Sequence, residues 1–250
     1  MMIPRSHPRK KSLEQRHRVV EGLKKGFVAH AGLIAHGRGE AFDYLIGEET
    51  TKNAMQAEKA AAAMLFLAEK PVISVNGNTA ALVPAELVKL ADAARAKLEV
   101  NLFYRTLERE KLIKKVLEDN GAKMVYGVGD RRRRVPGLYS ERSRIDEAIA
   151  EADVVLVCLE DGDRTEKLVE LGKRVVAVDL NPLSRTARNA HVTVVDNVVR
   201  AVPKINEYLL EFRRTGKRRA ESVLRRFDNR RNLIEAEHLI RAGFRRSKYA

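Results

Sequence analysis

The sequence predicts an α/β fold, a Rossmann-like and mostly parallel sheet with helices on both faces. Three observations carry that prediction. Apolar, β-branched runs such as 72–75, 154–159 and 175–178 lack polar alternation, as strands covered on both faces must. Between residues 71 and 200 such runs alternate with helix-length amphipathic segments, the pattern of repeated βα units. Polar clusters follow the runs, and in open α/β sheets ligands bind at the C-terminal strand edge. A chain of 250 residues accommodates this as one domain, with a helical part over 1–70, the core over 71–200 and a basic helical tail over 201–250.

Pro4 and Pro8 keep the first residues extended. Ser12, with Gln15 three positions on, predicts a capping box for a helix reaching Lys25. Leu13, Val20 and Leu23 share one side of that helix with Arg16, which either snorkels to solvent or points at an anion in a cleft. The stretch GLIAHGRGEAFDYLIGEET follows, where Gly37 and Gly39 flank Arg38. Two readings stay open there: a tight turn with a surface arginine, or a glycine-rich loop whose free N–H groups receive an anion. His36, Glu40 and Asp43 add ionisable groups to it. No strand precedes it and the third glycine of a dinucleotide fingerprint is missing, which counts against a nicotinamide-dependent enzyme. No Gly-Lys-Ser/Thr follows, so it is not a P-loop. Thr50 or Thr51 then caps an alanine-rich helix reaching about Glu69, suited to close packing.

Strands are expected at 72–75, 98–103 and 123–127, with helices near 80–96 and 106–120. At the first strand end, Asn76, Gly77 and Asn78 form either a plain βα turn or an anion-receiving one. At the second, Arg105 is either an anion clamp or the start of a salt-bridged helix face. Arg131–Arg134 read as a solvated basic loop, followed by a short helix near 142–151. The strand 154–159 delivers Glu160, Asp161 and Asp163, with Asp163 as the expected cap of the next helix. The last two strands, 175–178 and 191–195, deliver Asp179, Asn181, Ser184, Arg185 and Thr186, then Asp196 and Asn197, to the same edge. Helices near 198–213 and 218–241 close the chain.

Charge is distributed unevenly. The net charge is +14, yet residues 1–25 hold 8 Lys/Arg against 2 acids and residues 200–250 hold 15 against 6, so the body between them is close to neutral. Basic ends would serve a polyanion, an anionic small molecule or a partner subunit, and a nucleic-acid-binding α/β protein is the competing reading. Cys158 is the only cysteine and lies inside an apolar run, which excludes an internal disulfide and a catalytic thiolate. The six histidines show no metal-ligand spacing with cysteine. No apolar run spans a bilayer and the first residues lack a signal-peptide core, so a cytoplasmic protein without membrane contact is expected. The strand-end loops are rich in Arg, Asn, Asp and Thr and poor in nucleophiles, a composition suited to aligning anionic groups.

IPRSHPR, GLIAHGRGEAFDYLIGEET, PVISVNGNTAAL, EVNLFYRT, ADVVLVCLEDGDR and VVAVDLNPLSRTA, with VVDN and Arg200, resemble the archaeal phosphopantothenate synthetases, or 4-phosphopantoate:β-alanine ligases. The resemblance runs from about Ile3 to Arg200, and the basic tail carries little of it. It departs from the family pattern at Cys158, where proline is common. It implies condensation of 4-phosphopantoate with β-alanine, using ATP and Mg²⁺ and releasing AMP and diphosphate, by a homodimer in coenzyme A biosynthesis. It places ATP on Arg16, Arg38, Asp179, Leu180, Asn181, Arg185, Thr186, Asn197 and Val198. Arg38, Arg185 and His36 are the catalytic candidates, and Asn76, Asn78 and Arg105 those for the second substrate. Glu40, Asp43 or Asp161 are the candidates for Mg²⁺ or the amine.

Overall fold

A computed structural model describes residues 3–4, 6–7, 9–129, 133–135 and 144–243. Six parallel strands form the sheet, β1 (Pro71–Val75), β2 (Lys97–Val100), β3 (Val125–Tyr126), β6 (Val154–Cys158), β7 (Arg174–Val178) and β8 (Val192–Val194). Their order is β3-β2-β1-β6-β7-β8, that of a doubly wound dinucleotide-fold sheet. A two-residue antiparallel pair, β4 (Arg133–Arg134) with β5 (Arg144–Ile145), lies between β3 and β6 in sequence. The basic run is therefore a strand at its second half, and Arg131 and Arg132 lie outside the described residues. The helix expected from 142 is correspondingly short, α7 (Glu147–Glu151), because β5 occupies the preceding residues.

Strand alternation divides the core between the two sheet faces. Ile73, Val75, Leu156, Val176 and Val178 meet α3 (Lys52–Leu67), α5 (Pro84–Ala94) and α10 (Val198–Thr215). Val72, Val155, Val157, Val175 and Ala177 meet α7 and α8 (Gly162–Glu170). Ala57 and Ala60–Ala63 of α3 are wholly buried, and their small side chains let α10 and α11 (Lys217–Arg226) pack closely on it. The basic tail is part of this fold, since α12 (Asn229–Arg241) also packs on α3 and beside β8. Among the described residues no helix is long and apolar enough to cross a membrane.

Several local expectations are corrected. The helix α1 (Lys10–Lys24) starts from Arg9, and the Ser12 hydroxyl donates to the Arg9 carbonyl as a residue of the first turn. Gln15 instead accepts from Asn197, far along the chain. The glycine-rich stretch is a continuous helix, α2 (His30–Ile46), so the amides of Gly37 and Gly39 belong to its hydrogen-bond ladder and offer no anion nest. Its glycines serve packing: a Cβ on Gly32 would lie 2.4 Å from Asn78 Oδ1. The expected helix near 80–96 is two, α4 (Gly77–Leu82) and α5, broken where Pro84 takes the first position of the second. Asp161, not Asp163, caps α8. Thr51 caps α3 by accepting the Ala54 N–H.

Candidate active site

From β1 and β6 the chain crosses over in opposite directions, so their C-terminal ends diverge and leave a crevice. A cleft of about 700 Å³ opens there, within the size range of small-molecule sites. Its walls come from α2 and the loops after β1, β2, β6 and β7.

At the end of β1, Asn76 caps α4 by accepting the Thr79 N–H at 3.0 Å and donates Nδ2 to the Cys158 carbonyl at 2.8 Å. One side chain thus stitches both central strands at the crevice. Asn78 donates to the Gly32 carbonyl at 2.8 Å and ties α2 to α4. Between them, Gly77 leaves room for the Phe27 carbonyl, which a Cβ would approach to 2.5 Å. At the end of β6, Leu159 takes a left-handed turn at φ 54° and directs Glu160 and Asp161 along the cleft floor. The Glu160 carboxyl accepts the Asp161 N–H at 3.0 Å, and its burial pushes its pKa above the ordinary carboxylate range.

The loop after β7 is held by its own polar groups. Asp179 accepts the Asn181 N–H at 2.9 Å with one oxygen and the Ser184 hydroxyl with the other. Asn181 in turn accepts the Leu183 N–H at 3.0 Å. Burial raises the Asp179 pKa, while these donors and the nearby Arg38 charge oppose the rise. Ser184 caps the short helix α9 (Arg185–Asn189). Thr186 donates to the Glu160 carbonyl at 2.9 Å, and a Cβ on Gly162 would lie 2.5 Å from Arg185 Cβ, so the β6 and β7 loops abut. Arg185 is paired with Asp163 at 2.5 Å and Glu166 at 2.9 Å. Arg38, exposed on α2, has no ion pair among the described residues.

The structure therefore brings Arg38, Asn76, Asn78, Asp179, Leu180, Asn181, Arg185 and Thr186 to one cleft. It places others elsewhere. Arg16 pairs with Glu40 at 2.8 Å, and His36 is buried one turn before Glu40 with Nε2 unpartnered. Burial lowers the His36 pKa, against the Glu40 charge. Asn197 caps α10 immediately before the buried Val198, and donates to Asp43 at 2.6 Å and Gln15 at 3.1 Å. Arg200 lies at 2.5 Å from both Asp43 and Asp196. These residues form a buried polar junction of α1, α2, β8 and α10 outside the cleft lining. Arg105 also lies outside that lining, 11% exposed, pairing with Glu110 at 2.6 Å and donating to the Gly129 carbonyl at 2.9 Å.

No cluster of three or more metal-ligating side chains occurs among the described residues. A Mg²⁺ ion arriving on phosphate oxygens needs only one or two carboxylates. Asp161 and Glu160, side by side on the cleft floor, are the pair that fits, since Glu40 and Asp43 are committed to Arg16 and Arg200. Sequence reasoning missed Phe103, Tyr104 and Arg109 in the cleft wall. Arg109 left a signal: it sits in the first turn of α6 (Leu107–Asp119), where the helix dipole disfavours a cation.

A sheet in this order, with arginines and amides gathered at its switch point, defines a Rossmann-type α/β protein with a small-molecule cleft suited to anionic groups. The family described as phosphopantothenate/pantothenate synthetase matches residues 53–243, and the chain belongs to it. It is 54% identical over 235 residues to the 4-phosphopantoate--beta-alanine ligase of Thermococcus kodakarensis, covering 93% of this chain and 90% of that protein. The enzyme of the same name from Methanosarcina mazei is 49% identical over 242 residues, 95% of each. That of Methanospirillum hungatei is 51% identical over 210 residues, 84% of this chain and 86% of that one.

Proposed function

We propose that the protein is a 4-phosphopantoate--β-alanine ligase of coenzyme A biosynthesis that spends ATP, with Mg²⁺, to form the amide bond. The observation that carries this reading is the convergence of four separated sequence motifs, AHGRG, VNGN, LEDG and DLNPLSRT, on one cleft at the switch point.

In this reading ATP lies along the β7 side, on Asp179, Leu180, Asn181, Arg185 and Thr186, and 4-phosphopantoate along the β1 side, near Asn76 and Asn78. The acid's carboxylate oxygen attacks the α-phosphorus, the bond to the β-phosphate breaks, and diphosphate leaves. The unprotonated amine of β-alanine then attacks the acyl carbonyl. The amide forms, AMP leaves with the bonding electrons, and the ammonium proton passes to solvent. No nucleophilic side chain is needed; the work is alignment and charge neutralisation. Mg²⁺ would supply charge neutralisation on phosphate oxygens, held by Asp161 and Glu160. Arg38 is the free guanidinium for the developing negative charge. Arg185 reaches phosphate by exchanging its contacts with Asp163 and Glu166, both partly exposed. Arg16, His36 and Asn197 act through the junction that fixes α2 and hence Arg38. Ile34 and Tyr44, 74% and 76% exposed on α2, support a homodimer, because large apolar groups at a surface favour a covering partner.

The test is to mix the protein with ATP, 4-phosphopantoate and β-alanine and to measure AMP and diphosphate. AMP dependent on both acid and amine is expected, and ADP as the product would refute the adenylyl route. Exchange of labelled diphosphate into ATP, dependent on 4-phosphopantoate alone, is expected of a reversible first step.

A further inference from the structure

The two ends of the cleft differ in charge. Its carboxyl groups, Glu160, Asp161 and Asp179, all follow β6 and β7. The wall after β1 and β2 has one charged side chain, Arg109. This guanidinium donates from Nε and Nη2 to the Phe27 carbonyl, at 3.4 and 3.1 Å, and from Nη1 to the Tyr104 carbonyl. Both acceptors are neutral backbone groups, and no carboxylate among the described residues pairs with it. Its charge is therefore fixed in direction, partly desolvated and uncompensated. A guanidinium has five N–H groups, so these contacts leave one N–H on each terminal nitrogen, the fork that matches two phosphate oxygens.

Asn101, at the end of β2, borders the same part of the cleft. It is 3% exposed, and its Nδ2 is buried with no hydrogen-bond partner. A buried donor without an acceptor is costly unless a ligand supplies one. Its backbone N–H donates to the Val75 carbonyl at 2.8 Å, so the side chain is anchored between β1 and β2.

We propose that Arg109 and Asn101 form the subsite for the phosphoryl group of the acid substrate. The inference rests on the ligase reading for the direction of that substrate. Its carboxylate must meet the nucleotide at the β7 side, so its second anionic group points to the opposite end. A phosphate dianion is acceptor-only, and this end of the cleft offers donors without carboxylates. The subsite thereby selects the phosphorylated acid over the same acid bearing a free hydroxyl.

Calorimetric titration of the full chain with 4-phosphopantoate and with pantoate, beside steady-state KM values for ATP and both acids, tests this. Wild type should bind the phosphorylated acid more tightly. Arg109→Gln should weaken that binding and raise its KM roughly 10- to 100-fold, as loss of a charged hydrogen bond does. The same variant should leave the KM for ATP within about 3-fold and erase most of the preference over pantoate. Asn101→Ala should act in the same direction, more weakly. Equal binding of the two acids by wild type would overturn the inference, as would unchanged phosphopantoate binding in both variants. So would a loss of ATP affinity as large as that of the acid. Wild type that binds the phosphorylated acid selectively but forms no AMP would sink the ligase reading and leave the subsite standing.

Discussion

The arginines of this protein separate by what already holds them. Arg105 is buried against Glu110, and Arg200 lies between Asp43 and Asp196, so their charges are spent within the fold. Arg185 is paired but half exposed, where screening makes such pairs weak and exchangeable. Arg38 and Arg109 border the cleft without a carboxylate partner among the described residues. Because Arg38 is exposed on α2 and supports no neighbour, Arg38→Ala should leave the melting temperature within about 2 °C, as surface substitutions do. The same change should lower kcat roughly 100-fold or more if the side chain stabilises the transition state. Near-normal turnover in that variant removes Arg38 from the mechanism.

Among the elements, α3 carries a group that titrates into the working range. Glu58 is wholly buried, both its carboxyl oxygens lack a partner, and its pKa is pushed up to about 8. Burial is the main cause, with the Asp196 charge adding to it and Lys204 and Arg200 opposing it. The unfolded chain releases this proton near the model carboxylate value of 4.5. The native state therefore holds a proton that the unfolded state has lost, and stability falls as pH rises from about 4.5 to about 8, then levels. Glu99 on β2, raised by burial to about 7, adds to the same slope despite backbone donors at Asp146 and Ile149. Glu58→Gln should flatten the decline in melting temperature between pH 5 and 8 without abolishing it. Parallel pH curves for the two proteins would show that Glu58 does not ionise there.

For the molecule as a whole, the basic tail protects the sheet. β8 is an edge strand, and unpaired edges invite association. Asn229 accepts the Thr193 N–H at 2.8 Å, while Asn232 donates to the Thr193 carbonyl at 2.8 Å, so α12 satisfies the exposed side of β8 with side chains. Asn229 also donates to the Ala187 and Ala190 carbonyls, fastening the end of α9. Replacing Asn229 with Ala strands the Thr193 N–H and should cost about 1–3 kcal/mol, read as a lower denaturant midpoint. An unchanged midpoint would mean that water replaces the amide at no cost. The apolar residues of the tail serve this packing, and its arginines are the solvent face of helices that the fold requires.

Much of this was written in local sequence. The buried strands announced themselves as unbroken β-branched runs, and their C-terminal polar residues marked the sheet edge that carries the cleft. Thr51, Ser184 and Asn197 read as caps because a short polar side chain before a helix has few other uses. Two kinds of information were not local. The glycines of α2 look like a loop because propensity weighs each residue alone, whereas contact with Asn78 makes a small residue necessary at Gly32. Likewise, whether an arginine is free depends on which carboxylates the fold brings beside it. Sequence alone thus determined the layered α/β architecture, the edge that binds and the family; tertiary structure decided which charged groups are spent on the fold and which remain for a ligand. The reason is that pairing and desolvation depend on distances between residues far apart in the chain.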